Sequence, residues 1–462
     1  MSLHVDTIAA LSTPPGESGI AVIRVSGPEA CPIVAAMFRT PSGGGPDTFE
    51  HRRLYHGRIA GNGETIDEVV LAIFRAPESY TGDDVVEISC HGGPVVVSRM
   101  LDALYTVGVR PAQPGEFTKR AFLSGKMDLI QAEAVADIIH ARSELQHRVA
   151  QRQLEGGLSE RIGALADETL ELLGIIEANI DFIEEGIESI DWDASVATAS
   201  AQRTALTGLL ESAPLARRFH TGFEVVIAGA VNAGKSSLYN ALAGAARAIV
   251  TEVPGTTRDV LRETLVLDGL LFLLHDTAGL RTGTGDRVEE IGIDLAVEAV
   301  GRADVVLFVV DGSASLAPDA AEVLRRLEPE RVIVALNKSD LEADAGTHNI
   351  IEGLEGREVV PLSARTGDGL ERLRAAMVHR VGGEALSAMA RDRFVLNTRL
   401  VTLLDEASRS AAVLESGLRD RKPLELLAAD TRVLLSAYEE ATGRRYSDDL
   451  LDVIFTRFCL GK

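Results

Sequence analysis

The chain has 462 residues, of which 46% are hydrophobic and 25% charged, and it carries a formal net charge of −23. That length and balance fit an ordinary globular chain of about three domains, with no apolar run long enough to be read as a membrane span. An acidic surface repels nucleic acid over most of its area, so any work on RNA calls for a local basic patch or a partner. Three scattered cysteines (Cys31, Cys90 and Cys459) offer neither a disulfide framework nor a metal-spaced pair. With no basic, apolar leader pattern at the start, a reducing cytoplasm is expected.

In chain order, 1–120 reads as mixed α and β. Runs 19–25, 68–74 and 84–89 are short and β-branched. Helical apolar spacing covers 28–37, and a glycine-rich loop covers 39–49. Pro94 is well placed as the first residue of a helix over 95–107. From about Lys126 the pattern turns long and helical, with Leu165, Leu172, Ile176 and Ile183 along one seam. It returns after residue 390 through Leu396, Leu400, Leu403, Ala407, Ala411, Leu414 and Leu418. A second seam, Leu424, Leu427, Thr431, Leu434 and Tyr438, follows Pro423, and Ser447 is suited to cap a last helix reaching Phe458.

Between the helical blocks, 220–381 alternates strand and helix in doubly wound fashion. The runs 263–267 and 270–275 are joined by an Asp268-Gly269 turn. The runs 305–310 and 331–336 are continuous apolar stretches of the parallel-sheet kind, 359–362 is a shorter one, and a helix over 369–381 closes the block. The fold class is therefore multidomain α+β and α/β: an N-terminal α+β domain over 1–120, a discontinuous helical domain over 121–219 and 382–462, and an inserted doubly wound α/β domain over 220–381.

The insert carries the chemistry. Residues 229–236 (GAVNAGKS) follow a strand and open a helix, with the spacing of a phosphate-binding loop. Such glycines let backbone N–H groups turn toward one point, and the helix N-terminus adds free donors. Asn232, Ala233, Gly234, Lys235, Ser236 and Ser237 then line the phosphates. Lys235 reaches the β- and γ-phosphates, and the Ser236 hydroxyl is a Mg²⁺ ligand. Downstream, Thr256 and Thr257 lie in a GTTRD loop where Thr257 supplies a second Mg²⁺ hydroxyl. Asp276, Thr277, Ala278 and Gly279 end a strand, so that Asp276 holds Mg²⁺ through water and the Gly279 N–H meets the γ-phosphate. Asn337, Lys338 and Asp340 end another strand, and Ser363, Ala364 and Arg365 follow the next. All these motifs fall at carboxyl strand ends, where ligands of such sheets bind. Asp340 selects guanine, because its two oxygens accept from the N1–H and the exocyclic amine. This is a GTPase pattern, and it makes the doubly wound insert a Ras-like G domain. Leu280 stands where Ras-like enzymes keep a water-orienting glutamine, so another group must serve the water. Asn232 has a side-chain carbonyl suited to a monovalent cation, or else simply holds the loop.

With these motifs in hand, the whole chain resembles the tRNA-modification GTPase MnmE (TrmE) family. The resemblance rests on 19–27 (GIAVIRVSG), 79–93 (SYTGDDVVEISCHGG), 114–134 (PGEFTKRAFLSGKMDLIQAEA), the GTPase motifs and the ending Cys459-Leu460-Gly461-Lys462. It implies a homodimer through the N-terminal domain and a flavoprotein partner, MnmG (GidA), in a heterotetramer. The implied substrate is the wobble uridine of certain tRNAs, given an aminomethyl or carboxymethylaminomethyl group at C5. The one-carbon unit would come from a tetrahydrofolate derivative, 5-formyl- or 5,10-methylene-tetrahydrofolate. The resemblance also implies K⁺ in place of an arginine finger, held by Asn232, Thr251, Val253 and Thr256, and hydrolysis driven by G-domain pairing. It makes Glu289 the catalytic water-orienting group, with Glu290 as the alternative because 281–287 is glycine-rich and a residue longer than usual. Folate contacts carry over onto Arg24, Glu87, Lys126 and Lys462. Cys459, a lone thiol near Lys462 in the sequence, has an open role, chemical or merely packed. Two rival readings are a GTP-controlled RNA- or ribosome-binding switch without covalent chemistry and a dynamin-like membrane GTPase. The first is expected to carry a compact basic module and the second a basic or apolar anchor, and this chain has neither.

Overall fold

The computed structural model describes residues 6–41, 49–61, 63–182, 190–211, 213–245, 262–276, 303–353, 356–383 and 394–462. They fall into two compact units. The first comprises Met1–Ile139, Gln151–Arg203 and Leu403–Lys462; the second comprises His140–Ala150 and Thr204–Thr402.

The first unit is built on seven strands: β1 (Ile8–Leu11), β2 (Ser18–Ser26), β3 (Phe38–Arg39), β4 (Leu54–Gly61), β5 (Glu64–Phe74), β6 (Val85–Gly92) and β7 (Arg110–Pro111). Their order is β3-β4-β5-β6-β2-β1-β7, antiparallel except for the β1–β7 pair. Helices α1 (Ala30–Met37) and α2 (Pro94–Thr106) pack on the sheet, and Ile23, Val25, Leu71, Ile73, Ile88, Met100 and Leu104 fill the space between. Strand alternation decides what the other side carries. Val86, Ile88 and Cys90 are buried, whereas Glu87 and Ser89 between them stay half-exposed. Arg24 and Glu87 are direct cross-strand partners.

Strands β1 and β4 have no counterpart in the sequence reading. The first has four residues, and the second mixes histidine, arginine and glycine. Gly57 of β4 is demanded by tertiary contact: a Cβ there would stand 2.3 Å from the Arg39 carbonyl oxygen.

The helices of this unit include α3 (Glu116–Leu123), α4 (Leu129–His140), α6 (Gly157–Phe182), α14 (Leu424–Thr442) and α15 (Asp448–Phe455). Helices α5 (Glu144–Leu154), α7 (Trp192–Leu210) and α13 (Thr398–Arg419) contribute part of their length. Helix α14 runs against α6. Tyr438, wholly buried, donates its hydroxyl to Gln202 Oε1 at 3.2 Å, and Gln202 Nε2 donates to the Leu165 carbonyl at 3.2 Å. On α13 the buried residue is Leu404 and not Leu403, so the seam continues through Ala407, Ala411, Leu414 and Leu418. Adjacent leucines gave no basis in sequence for choosing between them. Ser447 caps α15 by accepting from the Leu450 N–H at 3.3 Å, but the helix ends at Phe455, short of Phe458.

The second unit holds β8 (Phe223–Gly229), β9 (Arg262–Leu267), β10 (Leu270–Asp276), β11 (Val305–Asp311), β12 (Val332–Asn337) and β13 (Glu358–Pro361). Their order is β13-β12-β11-β8-β10-β9, parallel throughout except for edge strand β9. One face packs Val225, Ile227, Val309 and Ile333 against Leu238 and Leu242 of α9 (Lys235–Ala245) and Leu373 and Met377 of a helix at Leu370–Arg380, our α12. The opposite face packs Val306, Phe308, Val310 and Val334 against α10 (Pro318–Arg326) and α11 (Ala345–Glu352). Apolar residues of both parities along each strand are what a sheet covered on both sides requires. The β9–β10 turn has φ of 51° at Asp268 and 82° at Gly269, the doubly left-handed geometry that an Asp-Gly pair favours. Residues 140–150 also belong to this unit, because Leu145 and Val149 are buried in its core and Gln146 Nε2 donates to the Phe219 carbonyl at 2.7 Å. The sequence reading had kept that stretch with the helical block.

Helix α3 is fastened to the sheet of the first unit by charge. Buried Arg120 pairs with Asp6 at 2.8 Å and Glu116 at 3.1 Å, while Arg110 bridges the same two carboxylates. Burial alone raises the pKa values of Asp6 and Glu116, but the arginine hydrogen bonds outweigh it, and both are lowered. A lowered folded-state pKa gives stability that is complete above the unfolded value and lost as pH falls through the folded one. This unit should therefore lose stability progressively below Glu116's ordinary value of 4.5. Urea midpoints measured across that range should fall, and Glu116→Gln should flatten the dependence while lowering the plateau.

Candidate nucleotide site and tail pocket

Strand β8 lies between β10 and β11, and the helices that follow it and β11 cover opposite faces. A crevice therefore opens at its carboxyl end, and the loop 230–234 fills that position. Gly229 has φ of 137°, and a Cβ there would stand 2.2 Å from the Val309 carbonyl oxygen. Asn232 takes φ of 63°, a left-handed conformation that asparagine tolerates better than most residues. Lys235 is the first residue of α9 and curls over its own loop, donating to the Gly229 and Ala230 carbonyls at 2.9 and 2.7 Å. Phosphate oxygens at the loop would take over those donors.

Asn337, at the end of β12, is 3% exposed. It donates to the Ala233 carbonyl at 2.9 Å and accepts from the Ala364 N–H at 3.0 Å. The neighbouring Lys338, at φ of 65°, reaches Asp311 Oδ2 at 2.5 Å, while Asp311 Oδ1 accepts from the N–H and hydroxyl of Ser313. Asp340 Oδ1 accepts from the Ser363 hydroxyl at 2.7 Å, and Oδ2 pairs with the Arg365 guanidinium at 2.9 Å. The Ser363 bond, with the Arg365 and Lys338 charges behind it, holds the Asp340 carboxyl below its ordinary range. It is an anion at neutral pH.

The structure thus brings together the loop residues Asn232, Ala233, Gly234, Lys235, Ser236 and Ser237 with Asn337, Lys338, Asp340, Ser363, Ala364 and Arg365. Asp276 ends β10, in parallel register with Ile227. Thr251, Val253, Thr256, Thr257, Thr277, Ala278, Gly279, Leu280, Glu289 and Glu290 lie outside the described residues. Sequence reasoning passed over Asp311, whose signal was an acid ending the apolar run of β11.

A second site forms in the first unit. Arg24 Nε and Nη2 donate to Glu87 Oε1 at 3.1 and 2.8 Å. The guanidinium carbon lies 5.3 Å from the Tyr80 ring centroid and 5.6 Å from that of Phe117. Arg24 Nη1 is buried and makes no hydrogen bond among the described residues. The chain's end comes to the same place. The Phe117 N–H donates to the Lys462 carbonyl at 3.2 Å, the Gly115 N–H to the Cys459 carbonyl at 3.4 Å, and the Ser12 hydroxyl to the Gly461 carbonyl at 3.0 Å. Gly461 has φ of 90°, and a Cβ on it would stand 2.2 Å from the Leu11 carbonyl oxygen. Behind the tail, Phe455 and Phe458 pack with Phe122, Leu129 and Leu451.

Lys462 is half-buried, and burial together with the nearby Arg24 charge lowers its pKa, against a smaller opposing pull from Glu87 and Cys459. Arg24, Glu87 and Lys462 therefore lie within electrostatic reach of one another, as does the exposed Cys459. Lys126 borders the adjacent 79–83 turn, its Cε 3.9 Å from where a Cβ on Gly82 would lie. Tyr80 and Phe117 were missed as site residues, although both lie in the sequence blocks that carry the resemblance.

A phosphate-binding loop at the switch point of a doubly wound sheet, with an Asn-Lys-Ser-Asp motif ending a further parallel strand, defines a P-loop GTPase. Comparison with known proteins narrows the class. The family model described as the MnmE helical domain matches residues 129–459, and the one described as the GTP-binding protein TrmE N-terminus matches residues 7–126. Proteins named tRNA modification GTPase MnmE align along nearly the whole chain. That of Geobacter metallireducens is 43% identical over 464 residues, covering 99% of each chain. That of Thermotoga petrophila is 40% identical over 459 residues, covering 99% of this chain and 100% of its own. That of Clostridioides difficile is 38% identical over 460 residues, covering 99% of each. The chain belongs to the MnmE family of tRNA modification GTPases. Among the described residues no helix is long and apolar enough to cross a membrane.

Gly234 gives a direct check of the loop. A Cβ there would meet Asn337 Nδ2 at 2.1 Å, at a φ of 99°. Gly234→Ala should weaken guanine-nucleotide binding about 10- to 100-fold, the scale of one strained backbone position. Calorimetry with GDP measures it, and an unchanged circular dichroism spectrum would confine the effect to the loop.

Proposed function

We propose that this chain hydrolyses GTP in tRNA modification, and that with an MnmG (GidA) flavoprotein it alters the wobble uridine of certain tRNAs at C5, adding an aminomethyl or carboxymethylaminomethyl group. The observation that carries the chemistry is the cluster of Arg24, Glu87 and Lys462, where the chain's tail returns to the sheet. A buried guanidinium nitrogen with no partner and a half-buried lysine beside it fit a ligand that brings carboxylates, and Glu87 fits the donor edge of a pterin. Those features suit a tetrahydrofolate derivative, held by Arg24, Glu87, Lys462 and, beside the 79–83 turn, Lys126. When bound, it supplies the one-carbon unit. A switch without covalent chemistry has no use for such a pocket.

In the G domain, Lys235 and the loop N–H groups bind the phosphates, Ser236 and Thr257 hold Mg²⁺, and Asp340 reads guanine. Asn232, Thr251, Val253 and Thr256 hold K⁺, and Glu289 orients the attacking water. The left-handed Asn232, displayed on the loop, supports a cation-ligating role. Pairing of two G domains drives hydrolysis. Exposed Ile20, Leu54 and Val70 on the sheet of the first unit support dimerisation of the N-terminal domain with a second copy of the chain. The protein acts in the cytoplasm.

Two measurements test this reading. In cells lacking the protein, mass spectrometry of tRNA wobble nucleosides should show the modification restored by the full chain and not by one lacking 459–462. That truncated protein should lose folate affinity in calorimetry yet keep K⁺-stimulated GTP hydrolysis; equal folate binding would remove the tail from the pocket. Separately, replacing K⁺ by Na⁺ at equal ionic strength should slow hydrolysis by about 10²-fold or more, the scale of one lost transition-state charge contact. Equal rates would make Asn232 a structural residue only.

A further inference from the structure

Asp340 has both carboxylate oxygens engaged: Oδ1 by the Ser363 hydroxyl and Oδ2 by the Arg365 guanidinium. These two partners differ in kind. Ser363 is wholly buried and fixed by its own backbone, its N–H donating to the Asp368 carbonyl at 2.9 Å. The Arg365 side chain is 78% exposed, while that of Asp340 is 15% exposed. A fixed hydroxyl on one oxygen leaves a lone pair there for a second donor. An exposed guanidinium occupies the other oxygen from the solvent side.

The chemistry of that guanidinium is specific. Guanine's N1–C2–N2 edge is itself a guanidine fragment, presenting parallel N–H donors to a carboxylate as an arginine fork does. Lys338, the other cation nearby, cannot substitute, because its ammonium is tied to Asp311 at 2.5 Å. We propose that Arg365 is an internal competitor for guanine: it occupies the Asp340 carboxylate as a mimic of the base edge and must swing into solvent for the nucleotide to be read. The role rests on Asp340 being the base reader. It gives Arg365 an effect opposite to that of a nucleotide ligand, since it raises the threshold for guanine binding and covers a carboxylate that would otherwise accept other donors.

Removing Arg365 should tighten binding. An exposed, partly screened ion pair is worth little, so the expected gain is modest, about two- to fivefold in GDP affinity for Arg365→Ala, shrinking as salt is added. Arg365→Lys, which keeps the charge without the planar fork, should fall between. Arg326→Ala serves as the control for lost charge, since that arginine is 77% exposed in the same unit and, among the described residues, pairs locally with Glu322. It should leave affinity unchanged. The decisive comparison is the cycle with Asp340→Asn, measured by calorimetry with GDP on the full chain. Asp340→Asn should weaken binding, and adding Arg365→Ala to it should bring no gain, because the competitor has lost its target. If Asp340→Asn weakens GDP binding while Arg365→Ala weakens it or leaves it unchanged, Arg365 is an ordinary ligand or a bystander and the proposal fails alone. If Asp340→Asn has no effect, the base-reader assignment and the proposal fall together.

Discussion

One buried amide holds the nucleotide site in register. Asn337 donates to the Ala233 carbonyl and accepts from the Ala364 N–H, joining the phosphate loop to the loops after β12 and β13 across the carboxyl ends of the parallel strands. At 3% exposure neither bond can be exchanged for water, so losing either leaves an unpaired buried polar group. The constraint explains the residue facing it: only a glycine at 234 leaves room for the amide nitrogen. It also gives the sheet a functional meaning, because β8 and β12 must end at the same level for Asn337 to reach the loop.

The charges around that amide are paired within the protein. Lys235 lies on its own loop carbonyls, Lys338 on Asp311, and Asp340 on Ser363 and Arg365. Each pair keeps an ionised group hydrogen-bonded within the protein, so nucleotide binding exchanges one partner for another instead of meeting a bare charge.

The tail pocket follows a different logic. Its floor is a cross-strand Arg24–Glu87 pair on the side of the sheet away from the core, and its wall is α3, fixed by the Asp6–Arg110–Glu116–Arg120 network. The last helix packs aromatic residues behind α3, and the tail then returns by backbone hydrogen bonds to Ser12, Gly115 and Phe117. Position here depends on main-chain contacts at Gly115 and Gly461 rather than on a side-chain motif, so spacing along the sequence gives no warning of it.

Sequence by itself determined the nucleotide-binding insert and placed its phosphate loop and the Asn337 motif at strand ends, because each motif is local: a strand end, a glycine loop and a helix start lie within a few residues of one another. It also determined the Asp-Gly hairpin and most of the helical seams, where one periodicity is dominant. Tertiary structure alone decided the rest. It chose Leu404 over Leu403, since only packing can distinguish two adjacent leucines. It made a strand of 54–61, where polar residues face outward and Gly57 yields to a neighbouring backbone. It moved 140–150 to the nucleotide-binding unit through two buried side chains, Leu145 and Val149. And it set Lys462 beside Arg24, more than four hundred positions away in the chain, because contacts between distant segments depend on how whole elements pack and leave no periodic trace in the residues that make them.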